Sequence, residues 1–132
     1  EPPGAVAPAV AERFRVASEV TAEAESEARA TVEALRARLH DATSNTVLIM
    51  PTVPGPAPMR THRGERVEAV RAATLRMTTP AAIGGMPSIS IPLLTVPSNL
   101  GAAPVGVSLI SRPGTDIALV RLARRLARAV AS

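Results

Sequence analysis

The chain has 132 residues, of which 46% are apolar and 20% are charged, so it corresponds to one small domain and not to a chain that is disordered throughout. All 15 basic residues are arginine, and cysteine and lysine are both missing from the sequence. These absences exclude disulfides, a thiolate nucleophile, a Schiff base, a Walker-type phosphate loop and a Ser-Lys catalytic pair within the 132 residues. Because the single aromatic residue is Phe14, the core must be built from aliphatic side chains. Such a core is thin, which indicates a part of a larger fold.

The net charge of +4 does not identify a nucleic-acid-binding protein. Residues 1–45 hold eight acidic residues and five arginines, whereas residues 46–132 hold three and ten. Four of these arginines lie in the last segment and could form a phosphate-binding stripe. Because no aromatic residue is interleaved with them for base stacking, they are interpreted as a solvated helix face. They are Arg121, Arg124, Arg125 and Arg128.

Metal and membrane binding are not expected either. His40 and His62 stand 22 positions apart and lack a metal-ligand spacing, so no metal site is expected. The longest apolar run is far shorter than the roughly 20 residues that span a bilayer. Residues 1–7 lack the basic start and apolar centre of a signal peptide, and the first residue is not Met, which favours a fragment or a processed chain.

The first predicted element is a long amphipathic helix from Ala9 to Leu39, after a proline-rich lead-in. Its residues are mainly Ala, Glu and Arg, with apolar side chains at helical spacing. A break is expected near Ser18 or Thr21. Turn-forming residues at 40–45 end the helix, so His40 is interpreted as a residue of the C-terminal turn and not as a catalytic base.

A short strand and a proline-rich loop are predicted next. Residues 46–50 form a continuous apolar run of the kind that is buried on both faces of a sheet. Residues 51–58 contain four prolines, which forbid a helix or a sheet interior and predict a rigid extended loop. A proline-rich ligand of the SH3 type is the alternative, but the position directly after a buried strand favours a structural loop.

The remainder of the chain is predicted to hold a helix, two strands and a final helix. The predicted ranges are a helix at 63–77, a small-residue stretch with a turn at 81–87, strands at 88–92 and 104–111, a hairpin-like loop at 96–103, and a helix at 117–130. The buried stripe of the last helix is predicted to be Leu119, Leu122, Leu126 and Val130. The order helix, strand, helix, strand, strand, helix predicts an α/β arrangement in which helices cover a small mixed sheet.

No active site is evident from the residues themselves. None of the nine serines stands in a G-x-S-x-G nucleophile elbow, and Ser88, Ser90, Ser108 and Ser111 are interpreted as strand residues. The acidic residues beyond position 45 have no evident partner for acid–base chemistry.

Three sequence blocks nevertheless resemble one enzyme family. They are VLIMPTVP at 47–54 with the following Ala57-Pro58, TPAAIGGMPSISIP at 79–92, and PVGVSLIS at 104–111 with the Gly114-x-Asp116 turn and a Leu-rich helix. In this order they resemble the C-terminal region of the amidase signature family, over nearly the whole chain. The last strand is similar to that of the indoleacetamide-hydrolase-like and general amidase branches. The lack of an acidic residue between Leu75 and Thr79 disfavours the glutamine-using amidotransferase branch.

The resemblance implies an α/β/α fold around a large mixed sheet, and hydrolysis of a carboxylic amide to an acid and ammonia or an amine without a cofactor. Family members use a serine nucleophile, a second serine in a cis peptide and a lysine base. All three belong to the half of the fold that precedes this region, so no catalytic residue is assigned to the chain.

The resemblance also implies a context for the chain. It is expected to be the C-terminal portion of an amidase domain, not a complete autonomous domain, in a cytoplasmic enzyme with a small-molecule amide substrate. Its implied partner is the N-terminal half of the same fold, and a homo-oligomer is compatible with this arrangement. The alternative hypothesis is a non-catalytic scaffold or partner-binding module of amidase descent.

The family's substrate-facing segments can be carried over by motif. In the family, the loop after the Pro-Thr strand and the turn before the Pro-rich strand approach the acyl part of the substrate. The resemblance therefore implies substrate-pocket roles, through shape and apolar contact, for Thr52, Pro54, Thr79 and Ile83. Gly84 and Gly85 are expected to allow a close backbone approach or a positive φ. For Ile83, the alternative is a plain core residue beneath the sheet.

Overall fold

The computed structural model describes residues 6–98 and 101–131 and divides into two compact units, Glu1–Ala34 and Leu35–Ser132. Helix α1 spans Pro8–Ser18, and helix α2 spans Ala22–Ala42. The predicted break near Ser18 or Thr21 is therefore confirmed. It occurs because the Thr21 hydroxyl accepts a hydrogen bond from the backbone N–H of Ala24 at 3.2 Å, which begins a new helix. Of the proline-rich lead-in, residues 1–5 lie outside the described part.

Helix α1 carries its ion pairs on the surface. The Arg15 guanidinium binds Glu12, at 2.8 Å, and also Glu19. The hydrogen bond from Arg15 holds the pKa of the Glu12 carboxyl below its ordinary value. Since all three side chains are more than half exposed, water screens this pair and it contributes little to stability.

The second unit contains a three-stranded antiparallel sheet. Strand β1 spans Leu48–Pro51, helix α3 spans Glu65–Gly84, and strands β2 and β3 span Ser88–Ser98 and Gly101–Ile110. The strand order is β1-β3-β2, so β3 is central. Helix α4 spans Asp116–Ala131. The predicted α/β class is confirmed, although both strand pairs among the described residues are antiparallel where a mixed sheet was predicted.

The core lies between one face of the sheet and α4. Leu109 of β3 is fully buried and stands in register between Ile49 of β1 and Ile89 of β2. Leu119 and Ala123 of α4 are buried against this face together with Ile91, and Leu122 and Leu126 lie at the margin of the cluster. Val130, which was predicted to be buried, is 64% exposed, because the buried stripe of the helix is centred on Leu119 and Ala123 and does not extend to its last turn.

Helix α3 is longer than predicted. It continues through Pro80 to Gly84, although the sequence predicts its end at residue 77. Proline removes one backbone donor, and in the turn before it the hydroxyls of Thr78 and Thr79 donate to carbonyls one turn earlier. The helix ends where Gly85 adopts a φ of 58°, with the N–H groups of Gly85 and Met86 bonded back to the helix. This is a Schellman motif, and it confirms the positive φ expected of the glycine pair.

The hairpin of β2 and β3 also extends further than predicted. The sequence predicts a loop over residues 96–103, but pairing continues outward from Val96↔Ala103 to Ser98↔Gly101. Residues 99 and 100 lie outside the described part. Pro97 is tolerated within the extended β2 because β2 is an edge strand of this sheet.

Strand β1 is an edge strand, which differs from the predicted burial on both faces. It pairs with β3 on one side only, and Ile49 is 61% exposed. Helices of the described residues include none that is long and apolar enough to cross a bilayer.

The exposed edge generates a test of folding behaviour. We expect the purified chain to bind an apolar dye and to associate as its concentration rises, because β1 presents unpaired backbone groups beside apolar side chains. The substitution Ile49→Lys should suppress the association measured by sedimentation velocity. Ile117→Lys is the matched control, since Ile117 is 67% exposed but lies on α4. A wild-type monomer with a sharp, reversible and concentration-independent melt would contradict this expectation and favour an autonomous module.

Candidate functional site

Thr52 is the centre of a cluster of hydroxyl groups at the end of β1. Its Oγ1 lies 2.6 Å from the Oγ of Ser90 on β2 and 2.8 Å from the Oγ of Ser108 on β3. Its backbone N–H donates to the carbonyl of Gly106 at 2.8 Å. A hydroxyl can donate one hydrogen bond and accept others, so Thr52 joins all three strands and fixes the start of the proline-rich loop on the sheet.

Gly106 makes room for this cluster. A Cβ atom at this position would lie 2.3 Å from Ser90 Oγ, so the Ser90 side chain would have to shift, and 3.1 Å from Thr52 Oγ1, which is a tight contact. A glycine inside a strand typically marks such a close approach. The three hydroxyls and Gly106 lie on the face of the sheet opposite Leu109, because side chains alternate between faces along a strand.

A second arrangement holds the end of α3. Arg36 and His40 lie four residues apart on α2 and therefore on one helical face. Arg36 Nε donates to the carbonyl of Ile83 at 2.8 Å, and His40 Nε2 lies 2.7 Å from the carbonyl of Gly84. These carbonyls belong to the last turn of α3, where no intrahelical donor is available. Since a carbonyl can only accept, Nε2 of His40 carries the proton and donates it.

The buried turn beyond α3 is closed by sulfur and a hydroxyl. Thr43 is buried and its Oγ1 donates to the carbonyl of Leu39 at 2.7 Å, with Met86 Sδ at 3.5 Å. A Cβ atom on Gly84 would lie 2.8 Å from the Met86 side chain. The close contact at Gly84 is thus with the Met86 side chain two residues further along the chain, and the positive φ of the glycine pair is at Gly85.

The predicted pocket residues fall into separate surroundings. Thr52 lies in the hydroxyl cluster, and Pro54 is exposed and lines a cavity with the rest of its loop. Thr79 is exposed on α3, where its hydroxyl donates to the carbonyl of Leu75. Ile83 is half-buried, and its carbonyl is held by Arg36. The hydrogen bonds of the described residues thus connect Thr52 to the sheet and Ile83 to α2.

Among the described residues, the arrangement holds a loop and a turn in position. The clustered hydroxyls bond to one another, and the imidazole of His40 binds a carbonyl. Within residues 6–98 and 101–131, no three metal-ligating side chains converge. His40 lies in the last turn of α2, as predicted, and its imidazole binds a carbonyl at the end of α3.

Several positioning residues were missed by sequence reasoning. Ser90 and Ser108 were interpreted as ordinary strand residues, and Arg36 was not singled out. The available signal was Gly106, since a glycine within an otherwise apolar strand points to a neighbouring group that approaches the backbone. The contacts of Arg36 and His40 span 47 and 44 residues, and no local pattern reports such a separation.

The hydroxyl cluster generates a stability prediction. Gly106→Ala should lower the free energy of unfolding by about 1–3 kcal/mol, as overpacking does in general, because the new Cβ would displace Ser90 Oγ. Adding Ser90→Ala should restore part of this loss, which chemical denaturation of the single and double variants would measure. Gly55→Ala is the control, since nothing lies within 4 Å of a Cβ there. Equal losses in Gly106→Ala with and without Ser90→Ala would contradict the steric explanation.

The comparisons with known proteins agree with one another. The family model described as Amidase matches residues 6–120. A curated protein from Oryza sativa subsp. japonica, Amidase 1, is 30% identical over 113 residues, which cover 82% of this chain and 25% of that protein. Amidase 1 of Arabidopsis thaliana is 37% identical over 81 residues, covering 61% of this chain and 18% of that protein. The chain thus spans about a quarter or less of the length of the curated relatives it matches.

The fold gives the same assignment. A solved structure described as the crystal structure of amidase superposes with a TM-score of 0.69 at 25% sequence identity, over 89% of this chain and 27% of that one. The family match covers most of the chain and includes the Pro-Thr loop, the glycine turn and the central strand. The resemblance noted in the sequence is therefore confirmed, and the chain belongs to the amidase family.

Proposed function

We propose that this chain is the C-terminal portion of an amidase that hydrolyses a carboxylic amide to an acid and ammonia or an amine. The supporting observation is that nearly the whole chain superposes on about a quarter of a solved amidase. The sequence contains no lysine, so the Ser-cisSer-Lys mechanism of the family would draw its residues from outside residues 1–132.

In that mechanism the reacting groups lie on the other portion of the fold. The serine oxygen attacks the amide carbon, the C–N bond breaks, and the departing nitrogen takes a proton from the base system. Water then cleaves the acyl-enzyme ester to release the acid. The portion described here would supply part of the sheet, the covering helices and one wall of the substrate pocket.

Two features of the chain suit it to form such a wall. The hydroxyl cluster fixes the loop that begins at Thr52, so this loop is held in place relative to β2 and β3. Arg36 and His40 fix the turn that contains Ile83. Rigid support of this kind places apolar surface beside a substrate with the precision that catalysis requires.

The proposed function can be tested by the activity of the chain. The 132-residue chain should hydrolyse no amide above background, because its sequence lacks the lysine base of the family's mechanism. A longer polypeptide that carries this sequence together with an upstream Ser-Ser-Lys set should hydrolyse amides and lose activity with a serine-directed reagent. Release of ammonia or amine is the measurement.

Two results would contradict the proposal. One is turnover by the 132-residue chain that serine-directed reagents abolish. The other is a longer polypeptide that folds but hydrolyses none of a panel of aliphatic and aromatic amides. The second result would favour the alternative hypothesis, a non-catalytic module of amidase descent.

Ile83 is half-buried at the turn that Arg36 holds, so its role in selectivity can be tested. In the active enzyme, Ile83→Ala should change the selectivity between a small and a bulky acyl group by about 1–3 kcal/mol, the usual effect of a modest change in an apolar pocket. The measurement is kcat/KM on two amides that differ only in acyl bulk. Leu75→Ala is the control, since Leu75 is 50% exposed on the same helix. Equal losses for both amides would identify Ile83 as a core residue.

A further inference from the structure

A cavity of about 420 Å³ lies at the end of the sheet where β1 begins and β3 ends. Its lining comes from residues 43–47 before β1, from Ser111 and Arg112 after β3, and from one face of α4. All of these residues belong to the second unit. The volume is within the range of roughly 300–1,000 Å³ that is typical of small-molecule sites.

This cavity lies apart from the segments of the proposed substrate pocket. None of the four residues to which a substrate-pocket role was assigned lines it. Val47, which lines it, and Thr52 stand at opposite ends of β1, roughly 16 Å apart at a strand rise of about 3.3 Å per residue. A ligand in this cavity would therefore not occupy the acyl pocket, and the inference goes beyond the proposed amidase activity.

Two guanidinium groups line the cavity, those of Arg112 and Arg125. No acidic side chain of the described residues lines it, so these two arginines give the lining a formal charge of +2. A guanidinium binds phosphate through two parallel hydrogen bonds, and a phosphate monoester carries a charge of about −1.5 to −2 at pH 7. The charge of the cavity thus matches that of one phosphate monoester.

The hydroxyl groups of the lining present acceptors to a ligand, because their own protons are already used. Thr46 Oγ1 donates to the carbonyl of Ala42 at 2.9 Å. Thr115 Oγ1 donates to the carbonyl of Arg112 at 2.6 Å. Ser111 Oγ is therefore the donor in the 2.7 Å bond between the Ser111 and Thr115 hydroxyls. A hydroxyl oxygen has two lone pairs, so such a wall can still accept hydrogen bonds from the hydroxyls of a ligand.

We propose that this cavity binds a phosphorylated polyol of the sugar phosphate class. Its phosphate lies between Arg112 and Arg125, its hydroxyls donate to Thr46 and Thr115, and its carbon skeleton lies against Leu122, which also lines the cavity. Inorganic phosphate would leave the acceptors of the wall without donors, and a neutral polyol would leave the two guanidinium groups without an anion. A phosphate ester with hydroxyl groups is the ligand that satisfies both.

The test is isothermal titration calorimetry with glucose 6-phosphate. The protein used is the longest polypeptide that carries this sequence, so that any other portion of the fold that reaches the cavity is present. Glucose 6-phosphate should bind saturably. Butyl phosphate, which keeps the charge but lacks the hydroxyls, and glucose, which lacks the phosphate, should each bind about tenfold more weakly, as expected for the loss of hydrogen bonds on one side of the site.

Three variants locate the site. Arg125→Gln should raise the Kd of both glucose 6-phosphate and butyl phosphate about tenfold, because a hydrogen bond to a charged group is lost. Arg124→Gln is the matched control, since Arg124 is an exposed arginine of the same helix that does not line this cavity, and it should leave both Kd values unchanged. Thr46→Val should raise the Kd of glucose 6-phosphate about fivefold, the effect of one neutral hydrogen bond. The same variant should bind butyl phosphate as the wild type does, which also shows that the cavity is intact.

The proposal is overturned if glucose 6-phosphate shows no saturable binding, which is also the result expected if another portion of the fold fills the cavity. It is equally overturned if inorganic phosphate or butyl phosphate binds as tightly as glucose 6-phosphate, or if Arg125→Gln behaves like Arg124→Gln. Because binding is measured without turnover, a polypeptide that hydrolyses no amide but binds glucose 6-phosphate as described would support this proposal while contradicting the amidase activity.

Discussion

Strand β3 is hydrogen-bonded on both sides, to β1 and to β2, and the second unit is arranged around it. Leu109 stands next to the C-terminal end of this strand with no exposed surface, and α4 covers it with Leu119 and Ala123. The burial of one aliphatic row therefore orients two strands and a helix at once. Because the chain has a single aromatic residue, these aliphatic side chains must supply the buried apolar area that aromatic side chains supply in other cores.

Side chains alternate along a strand, so the two faces of β3 make different contacts. Leu109 faces α4, whereas Gly106 and Ser108 face the opposite side, where they meet Thr52 and Ser90. The apolar face supplies stability, and the hydroxyl face fixes the loop that leaves β1. Because Gly106 has no Cβ, the hydroxyl cluster fits against β3 without displacing the strand from its packing on α4.

The candidate site is built from positioned backbone and hydroxyl groups. Arg36 and His40 bind carbonyls at the end of α3, so their polar atoms are used to hold the turn around Ile83. A positioning role of this kind is compatible with a segment that matches 27% of the length of a solved amidase and contains no lysine.

The sequence by itself determined the type and order of the elements, the break near Thr21, the positive φ of Gly85 and the family. These features depend on local propensity, capping and short motifs, which neighbouring residues set between them. Tertiary structure decided the rest. Helix α3 continues through Pro80 to an end whose carbonyls are bound by Arg36 and His40 of α2. The hairpin extends beyond Val96 because strand pairing overrides weak local signals. The exposure of Ile49, the contacts of His40 with Gly84 and the meeting of Thr52 with Ser108 depend on residues tens of positions away. A pattern of periods two and 3.6 reports which face a residue lies on, but it does not report which distant residue that face will meet.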